Sequence, residues 1–539
     1  MSMNKTKKIG RNQLCPCGSG NKHKHCHGHP SGKPPFTPPD LQAKIEKHLE
    51  LVKSKEHQRI QQQGLGSPVN SWELEGVRYV RVGGRLLWSS QWRTFHDFLV
   101  SYLVDVLGKE WFTEQQALIK EEQHEIIQWF EKTNEFWSGK RNDSGSIKEE
   151  MPTGAVYAYL DLSYHLYLIA HNVSVQSLLI KRIKNKEQFR GALFETLVVS
   201  TFIKAGFEVE FEDETDGSVT HTEFTATFKQ TGRSFTVEAK SREPFKQNFH
   251  IYNQLRNALS KSSTLERLVF IQMNVPNVVD ENGKLSWVEF ITNDWFRMEK
   301  NLTLPGNIDV PSEPPPAIVF LINKPYFDYL DSSEYSHSAT FSGFKIEGLQ
   351  LGYHFDRLLH FVEKREEYKE IYELWNAYEK FQKTPITFDG SNPAFINEKS
   401  SHRLIIGECY ELPDKNGQLI VGELIEAIVA YDCAICTLSG VDGTTFLAKA
   451  PLNKTELKAY NEHPETFFGK IQKNRGQITD ASGWYDFFWE TYQHSDRKLL
   501  IERLKSGYDL QLLESFSQDK LASLYCEAMA SHAVRADTK

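Results

Sequence analysis

The chain reads as an α+β multidomain protein, and three observations carry that reading. Its 539 residues exceed what one compact domain holds, at roughly 100–200 residues each. Three of its seven cysteines crowd into the first thirty residues, ahead of a proline-rich spacer, which sets a small metal-folded module apart from the rest. Helical periodicity dominates from 41 to 178, then gives way after Lys181 to the order helix, strand, strand, strand, helix, strand. The expected parts are a zinc module at 1–30, a linker at 31–40, a mainly helical domain with a hairpin at 41–178, an α/β core at 181–330, and a long helix with a mixed α/β region at 331–539.

With 40% apolar, 12% aromatic and 25% charged residues, the chain is far from disordered or collagen-like composition. The basic opening MSMNKTKKIG is followed by no apolar core of signal length, and no run of eighteen apolar residues occurs. Neither export nor membrane spanning is expected, and the few clustered cysteines fit a reducing cytoplasm. The net charge of −8 argues against a protein that coats nucleic acid by bulk charge. It is uneven: residues 1–35 carry seven Lys or Arg and no acid, so the remainder holds about −15.

In LCPCGSGNKHKHCHG the expected metal ligands are Cys15, Cys17, Cys26 and His27. Zinc takes four soft or borderline ligands in a tetrahedron, and Gly18 and Gly20 supply the tight turn that brings the two ends together. So short a segment has no core of its own, so the metal must fold it. His23, His25 and His29 compete as ligands, with the adjacent Cys26-His27 the better fit. SGKPPFTPPD (31–40) cannot continue a helix and tethers the arm as an extended spacer.

Leu41 to Gln63 reads as a polar helix, and GVRYVRVGGRLLW (76–88) as a hairpin about Gly83-Gly84. Residues 92–108, 114–132 and 155–172 show apolar residues at three- and four-residue spacing, which predicts helices. A helix over 187–206 ends at Gly206; strands follow at 207–212, 221–228 and 234–240, then a helix at 250–262 and strands at 267–275 and 317–327. A long charged helix is expected at about 355–382, and strands around 403–408, 418–422 and 426–437.

Glu238-Ala-Lys240 ends one of these strands, with Glu223 on the strand before it and Glu195 on the preceding helix. Acid-x-Lys alone is weak, since Glu367-Tyr-Lys369 and Glu456-Leu-Lys458 occur with nothing around them. A two-residue turn at Thr231-Gly232 would make Glu223 face Lys240 and Glu238 face Thr225. Period-two alternation then puts Glu223, Glu238 and Lys240 on one side, with Val237 and Ala239 on the other. Two carboxylates at close range repel, and a divalent cation is the usual reason to hold both ionised. Glu195 lies among Gly191, Ala192, Val198 and Val199, an apolar face where a carboxylate needs a cation or hydrogen bond.

The CPCGSGNKHKHCHG run closely resembles the SEC-C motif, the zinc-binding tail of the bacterial preprotein translocase ATPase, over about residues 8–29. The resemblance implies a structural Zn2+, a basic docking module for a protein partner such as a chaperone or the ribosome, and a bacterial source. It implies no activity.

The order helix with Glu, strand, strand with an acid, strand with Glu-x-Lys, helix, apolar strand resembles the PD-(D/E)XK superfamily with its restriction-endonuclease-like core, over about residues 185–275. Carried over by position, Glu223 and Glu238 stand where the family's metal-binding acids lie, Lys240 where its catalytic lysine lies, Glu195 at the helical acid and Gln254 at a polar position of the next helix. Thr222-Glu223 departs from the usual Pro-Asp, with Asp216 as an alternative first ligand. The resemblance implies Mg2+- or Mn2+-dependent hydrolysis of phosphodiesters, expected to be of DNA, with Lys240 positioning a water. Basic runs at 181–190 and from Lys240 to Lys261 flank the site and would replace phosphate counterions. Chains of this kind often serve restriction or anti-phage defence, a fold-level analogy.

The rival reading is a non-catalytic adaptor, favoured by Glu223 in place of Asp; a third makes the zinc module primary, in a ribosome- or chaperone-associated factor. Cys433-Ala-Ile-Cys436 is expected to be a pair of buried thiols in an apolar strand. Gly83-Gly84 and GVDG (440–443) are turn glycines, and ATPase or helicase motifs are absent from the sequence.

Overall fold

The computed structural model describes residues 10–16, 20, 22–26, 39–138, 150–173, 177–211, 223–241, 251–274, 295–304, 312–333, 337–351, 353–395, 404–414, 416–440, 443–472 and 480–537. The chain is mixed α/β and divides into two units, one drawn from Met1–Arg59 and Gly390–Asn474, the other from Ile60–Asp389 and Arg475–Lys539. The limits expected at 178 and 330 both fall inside the second unit. The division between units passes through α1 (Pro39–Gln63), the polar helix expected there.

The second unit begins with a three-stranded antiparallel sheet, β1 (Asn70–Leu74), β2 (Val77–Val82) and β3 (Arg85–Ser89). The β2–β3 turn is the expected Gly83-Gly84, Gly83 taking φ +55. Strand β1 escaped the sequence reading because NSWEL is short and mostly exposed. Helices α2 (Phe95–Leu107), α3 (Lys109–Gln116), α4 (Glu125–Ser138), α5 (Gly154–Asn172), α6 (Ser177–Lys184) and α7 (Lys186–Lys204) follow. Thr94 and Asp97 form a reciprocal capping box that starts α2. The helix expected over 114–132 is instead broken between α3 and α4. There the Gln123 amide donates to the carbonyls of Gln116 and Leu118, and the His124 N–H donates to Gln115 Oε1 at 3.1 Å. Side chains thus take over the backbone's hydrogen bonding.

Helix α7 starts at Asn185, whose side chain accepts from the N–H groups of Glu187 and Gln188, and the chain turns away at Gly206 with φ +86, as expected. After it come β4 (Phe207–Phe211), β5 (Phe224–Phe228), β6 (Ser234–Lys240), α8 (Ile251–Leu259), β7 (Glu266–Gln272), β8 (Ala317–Asn323) and β9 (Ser338–Phe344). They form one six-stranded sheet in chain order; β6, β7 and β8 are parallel and the other pairings antiparallel. Helix α8 makes the crossover between β6 and β7 that a parallel pair requires.

Both faces of this sheet are covered. Phe224, Val237 and Phe270 join α5 and α7 in one core, while Val269, Ile271 and Val319 join α8 and a helical stretch at 295–301 in another. Phe202 of α7 anchors the first, with ring centroids 5.1 Å from Phe207, 5.5 Å from Phe224 and 5.6 Å from Phe270. Truncating so enclosed a ring costs about 3–5 kcal/mol. The long helix expected at 355–382 is two helices, Leu358–Glu367 and Lys369–Lys380, broken at Tyr368 (φ −113°, ψ 34°). Helices Ala481–Tyr492, Arg497–Leu504, Leu510–Ser515 and Gln518–Asp537 complete this unit around Leu500, Leu513 and Leu521.

The first unit holds a four-stranded antiparallel sheet, β10 (Cys409–Pro413), β11 (Leu419–Ala430), β12 (Cys433–Ser439) and β13 (Thr445–Pro451). The strand expected at 403–408 lies later, and that expected at 426–437 is cut by a turn at Tyr431-Asp432. Cys433 and Cys436 stand three apart on β12 and so face opposite ways; Cys436 is buried but Cys433 only half-buried. In this unit Lys47 of α1 pairs with Glu408 at 2.5 Å.

Candidate functional site

The candidate site forms at the carboxyl end of β6. Phe235 and Val237 of this strand enter the core shared with α7, so Thr236, Glu238 and Lys240 alternate to the α8 face. Strand β5 pairs Phe224 with Val237 and Thr225 with Thr236, and continuing that register sets Glu223 opposite Glu238. This corrects the expected pairing by two residues. The turn is longer than two residues: the Phe228 N–H donates to the Arg233 carbonyl at 2.9 Å, and Gly232, at φ +74, donates to the Phe228 carbonyl at 2.8 Å. Side chains anchor it there, with Thr231 Oγ1 donating to Glu370 Oε1 at 2.6 Å and Arg233 pairing with Glu266 at 2.6 Å. A slip of two preserves which face each residue occupies, so Glu223, Glu238 and Lys240 still converge.

Lys240 Nζ lies 2.6 Å from Glu238 Oε2 and 3.3 Å from Glu223 Oε1. Glu238, 4% exposed, receives a second cation on its other oxygen, Lys261 Nζ at 2.9 Å. Burial acts to lower the Lys240 pKa, but the carboxylates of Glu238 and Glu223 more than offset it and hold the ammonium above the ordinary lysine range. Arg267 on β7 is pushed down by burial, with Glu238 opposing. Alongside, Ser241 Oγ donates to Gln272 Oε1 at 2.7 Å.

The remaining predicted residues lie elsewhere. Helix α7 packs on the opposite face of the sheet through Phe202, and Glu195, buried on it, pairs with Arg182 NH1 of α6 at 2.7 Å. The ion pair answers the need for a cation that its apolar neighbours implied, but it draws Glu195 to α6. Gln254 is half-buried on α8, outside the ion-paired cluster. Asp216 lies outside the described residues. Lys261 had been only one member of a basic run; it arrives across the α8 crossover, where spacing along the sequence gives no signal. Also missed was a buried group in which Lys324 Nζ sits 3.5 Å from Asp161 Oδ2 and the Tyr326 hydroxyl donates to the same oxygen. An aspartate inside the apolar run AVYAYLDLSYHLYL was the available cue.

Two carboxylates, Glu238 on β6 and Glu223 just before β5, are hard oxygen donors of the kind Mg2+ or Mn2+ prefers. Glu223 and Glu238 fit such an ion chemically, and it would compete with Lys240 and Lys261 for their oxygens.

In the first unit an isolated bridge pairs Leu14 with Lys22, and a short 3-10 turn at His23–His25 leads into Cys26. Cys15 Sγ lies 3.7 Å from His23 Nδ1. Cys17 and His27 lie outside the described residues; among the described residues no group of three metal-ligating side chains occurs. Cys15 and Cys26 are therefore the two predicted zinc ligands whose placement is described, and thiolates of this kind suit zinc.

Residues 11–28 match the SEC-C motif. Over 21 residues the chain is 81% identical to the protein translocase subunit SecA of Chromohalobacter salexigens and 76% identical to that of Albidiferax ferrireducens, 4% of this chain and 2% of each relative. The SecA of Acidithiobacillus ferrooxidans is 81% identical over the same length. The chain thus spans about 2% of the length of these curated relatives. No solved structure matches it. The SEC-C motif is a zinc-binding module, so the match supports a structural zinc. Among the described residues no helix is long and apolar enough to cross a membrane.

Proposed function

We propose that the chain is a Mg2+-dependent nuclease that hydrolyses phosphodiester bonds, with DNA as its substrate, carrying a zinc-folded SEC-C module at its start. The observation that carries the reading is the convergence of Glu223, Glu238 and Lys240 within ion-pair distance at the end of β6. The element order supports it: α7, antiparallel β4–β5–β6, the α8 crossover and parallel β7 follow the order of a restriction-endonuclease-like core. A bound Mg2+ would neutralise phosphate charge and acidify a water. Glu223 and Glu238 would hold it, and Lys240 would orient the water and offset charge building on the phosphate oxygens. The water oxygen bonds to phosphorus as the ester bond to the leaving oxygen breaks, giving one phosphomonoester and one hydroxyl end. Lys261 adds a cation beside the same carboxylate for the phosphate backbone.

The test is cleavage of plasmid, linear and single-stranded DNA and of RNA with Mg2+ or Mn2+, comparing the natural chain with Glu238→Ala and Lys240→Ala. Metal-dependent cutting lost in both variants is expected; no cutting by any form, with no metal bound at Glu238, defeats the proposal. A role in restriction or anti-phage defence would follow from such an activity by analogy with chains of this architecture.

The match at 11–28 favours a second, compatible role, docking to a protein partner through the SEC-C module. Co-sedimentation with ribosomes or a chaperone that disappears on Cys15→Ser tests it. If partner binding is found and nuclease activity is not, the chain is an adaptor.

A further inference from the structure

The sheet β1–β3 buries one face and bares the other. Val80 and Val82 turn into the core of the second unit, while the opposite face carries Trp72, Tyr79 and Trp88, one from each strand. The register sets them in a single row, Trp72 against Tyr79 and Tyr79 against Trp88. Trp72 and Tyr79 stack with centroids 5.6 Å apart and planes 8° from parallel. Trp88 is 64% exposed and Trp72 43%; Leu74 and Leu86 extend the same face at 59% and 44%. Contiguous apolar surface of this kind, left in water at roughly 25 cal/mol per Å2, marks a face built to be covered.

Charge narrows the occupant. Arg78 is paired with Glu73 at 2.5 Å and Arg85 with Asp105 at 2.5 Å. On the bare face Arg81 uses its Nε to donate to the Gly83 carbonyl at 3.2 Å. A single guanidinium falls well short of the cationic groove that tracks a nucleic-acid backbone, so the row fits an apolar, nearly neutral ligand.

Spacing narrows it further. Adjacent strands lie about 4.8 Å apart, so the outer two tryptophans stand roughly 9.6 Å apart across β2. A polyproline II helix repeats every three residues, about 9.3 Å. Prolines at positions i and i+3 of such a segment come into step with Trp72 and Trp88, leaving Tyr79 beneath the intervening residues. Because proline fixes its own backbone, little entropy is lost on docking.

We infer that the Trp72–Tyr79–Trp88 row is a docking site for a partner segment with P-x-x-P spacing. This chain carries that spacing at Pro35 and Pro38, so a synthetic SGKPPFTPPD peptide (residues 31–40) is a suitable probe. Fluorescence anisotropy of the labelled peptide against the full chain carrying Pro35→Ala and Pro38→Ala, so that its own copy does not compete, should show saturable binding. Trp88→Ala or Trp72→Ala, and separately a peptide with both Pro35 and Pro38 replaced by Ala, should each weaken it about tenfold, with thermal unfolding of the protein variants unchanged. No saturable binding, or binding indifferent to the tryptophan substitutions, overturns the inference. So does preferential binding of oligodeoxythymidine that Trp88→Ala abolishes, which would assign the row to single strands.

Discussion

Lys261, in the turn beyond α8, reaches back to Glu238 of β6 at 2.9 Å, so the most enclosed carboxylate of the candidate site is held by a residue from across a crossover. A divalent cation arriving at Glu238 must compete with that ammonium. Removing it by Lys261→Ala should tighten Mn2+ binding about fivefold, the scale of a partly exposed ion pair. Calorimetric titration with Mn2+ checks this; unchanged or weaker affinity would show that Lys261 does not guard the carboxylate.

Arg182 and Glu195 form the pair on the other side of the sheet, with the carboxylate much more enclosed than the guanidinium. Arg182→Ala should lower stability by about 2 kcal/mol, and adding Glu195→Gln should restore more than half of it, because the second change removes the stranded charge. Urea unfolding of the two variants measures this. Strictly additive losses would sink the idea that the two residues act as a unit.

Lys204, at the end of α7, has its pKa lowered to about 7 by burial, with Lys324 acting the same way and Asp161 opposing. Its ammonium donates to the Phe381 carbonyl at 2.8 Å. The unfolded chain keeps a lysine near its ordinary 10.5, so between about 7 and 10.5 it binds a proton that the folded chain does not. Stability should therefore rise with pH through that window, and Lys204→Met should flatten the rise. An equal gain in unfolding free energy from pH 7 to pH 9.5 in the natural chain and in Lys204→Met, read from denaturant titrations, would count against it.

The SEC-C match makes a separate prediction. Elemental analysis should find about one zinc per natural chain and lose it in Cys15→Ser, while the main thermal transition stays in place, because none of the segment's described residues enters the large cores. A fall in that transition would show that the module supports the rest of the fold.

The strand SFTVEAK was legible to the residue because alternation, a glycine-bearing turn before it and β-branched residues all agree there. The facing of Glu223, Glu238 and Lys240 was legible for the same reason: a period of two survives an error of two in register. The register itself was not, since Arg233 and Thr231 are held by Glu266 and Glu370, partners distant in sequence. Helix ends failed where side chains replaced backbone bonding, as at Gln123, or where one residue left helical geometry, as at Tyr368. Lys261 and Arg182 could be named only once tertiary structure had brought them to their carboxylates.

The interleaving of the two units sets a timetable for synthesis. Arg59 closes the first stretch of one unit, and Gly390 opens the next, after the whole sheet of the other has been made. At about 5–20 residues per second, a ribosome needs roughly 20–70 seconds to cross that interval. For that time Lys47 waits without Glu408, and the early turns of α1 depend on being polar enough to stay in solution until β10 to β13 emerge.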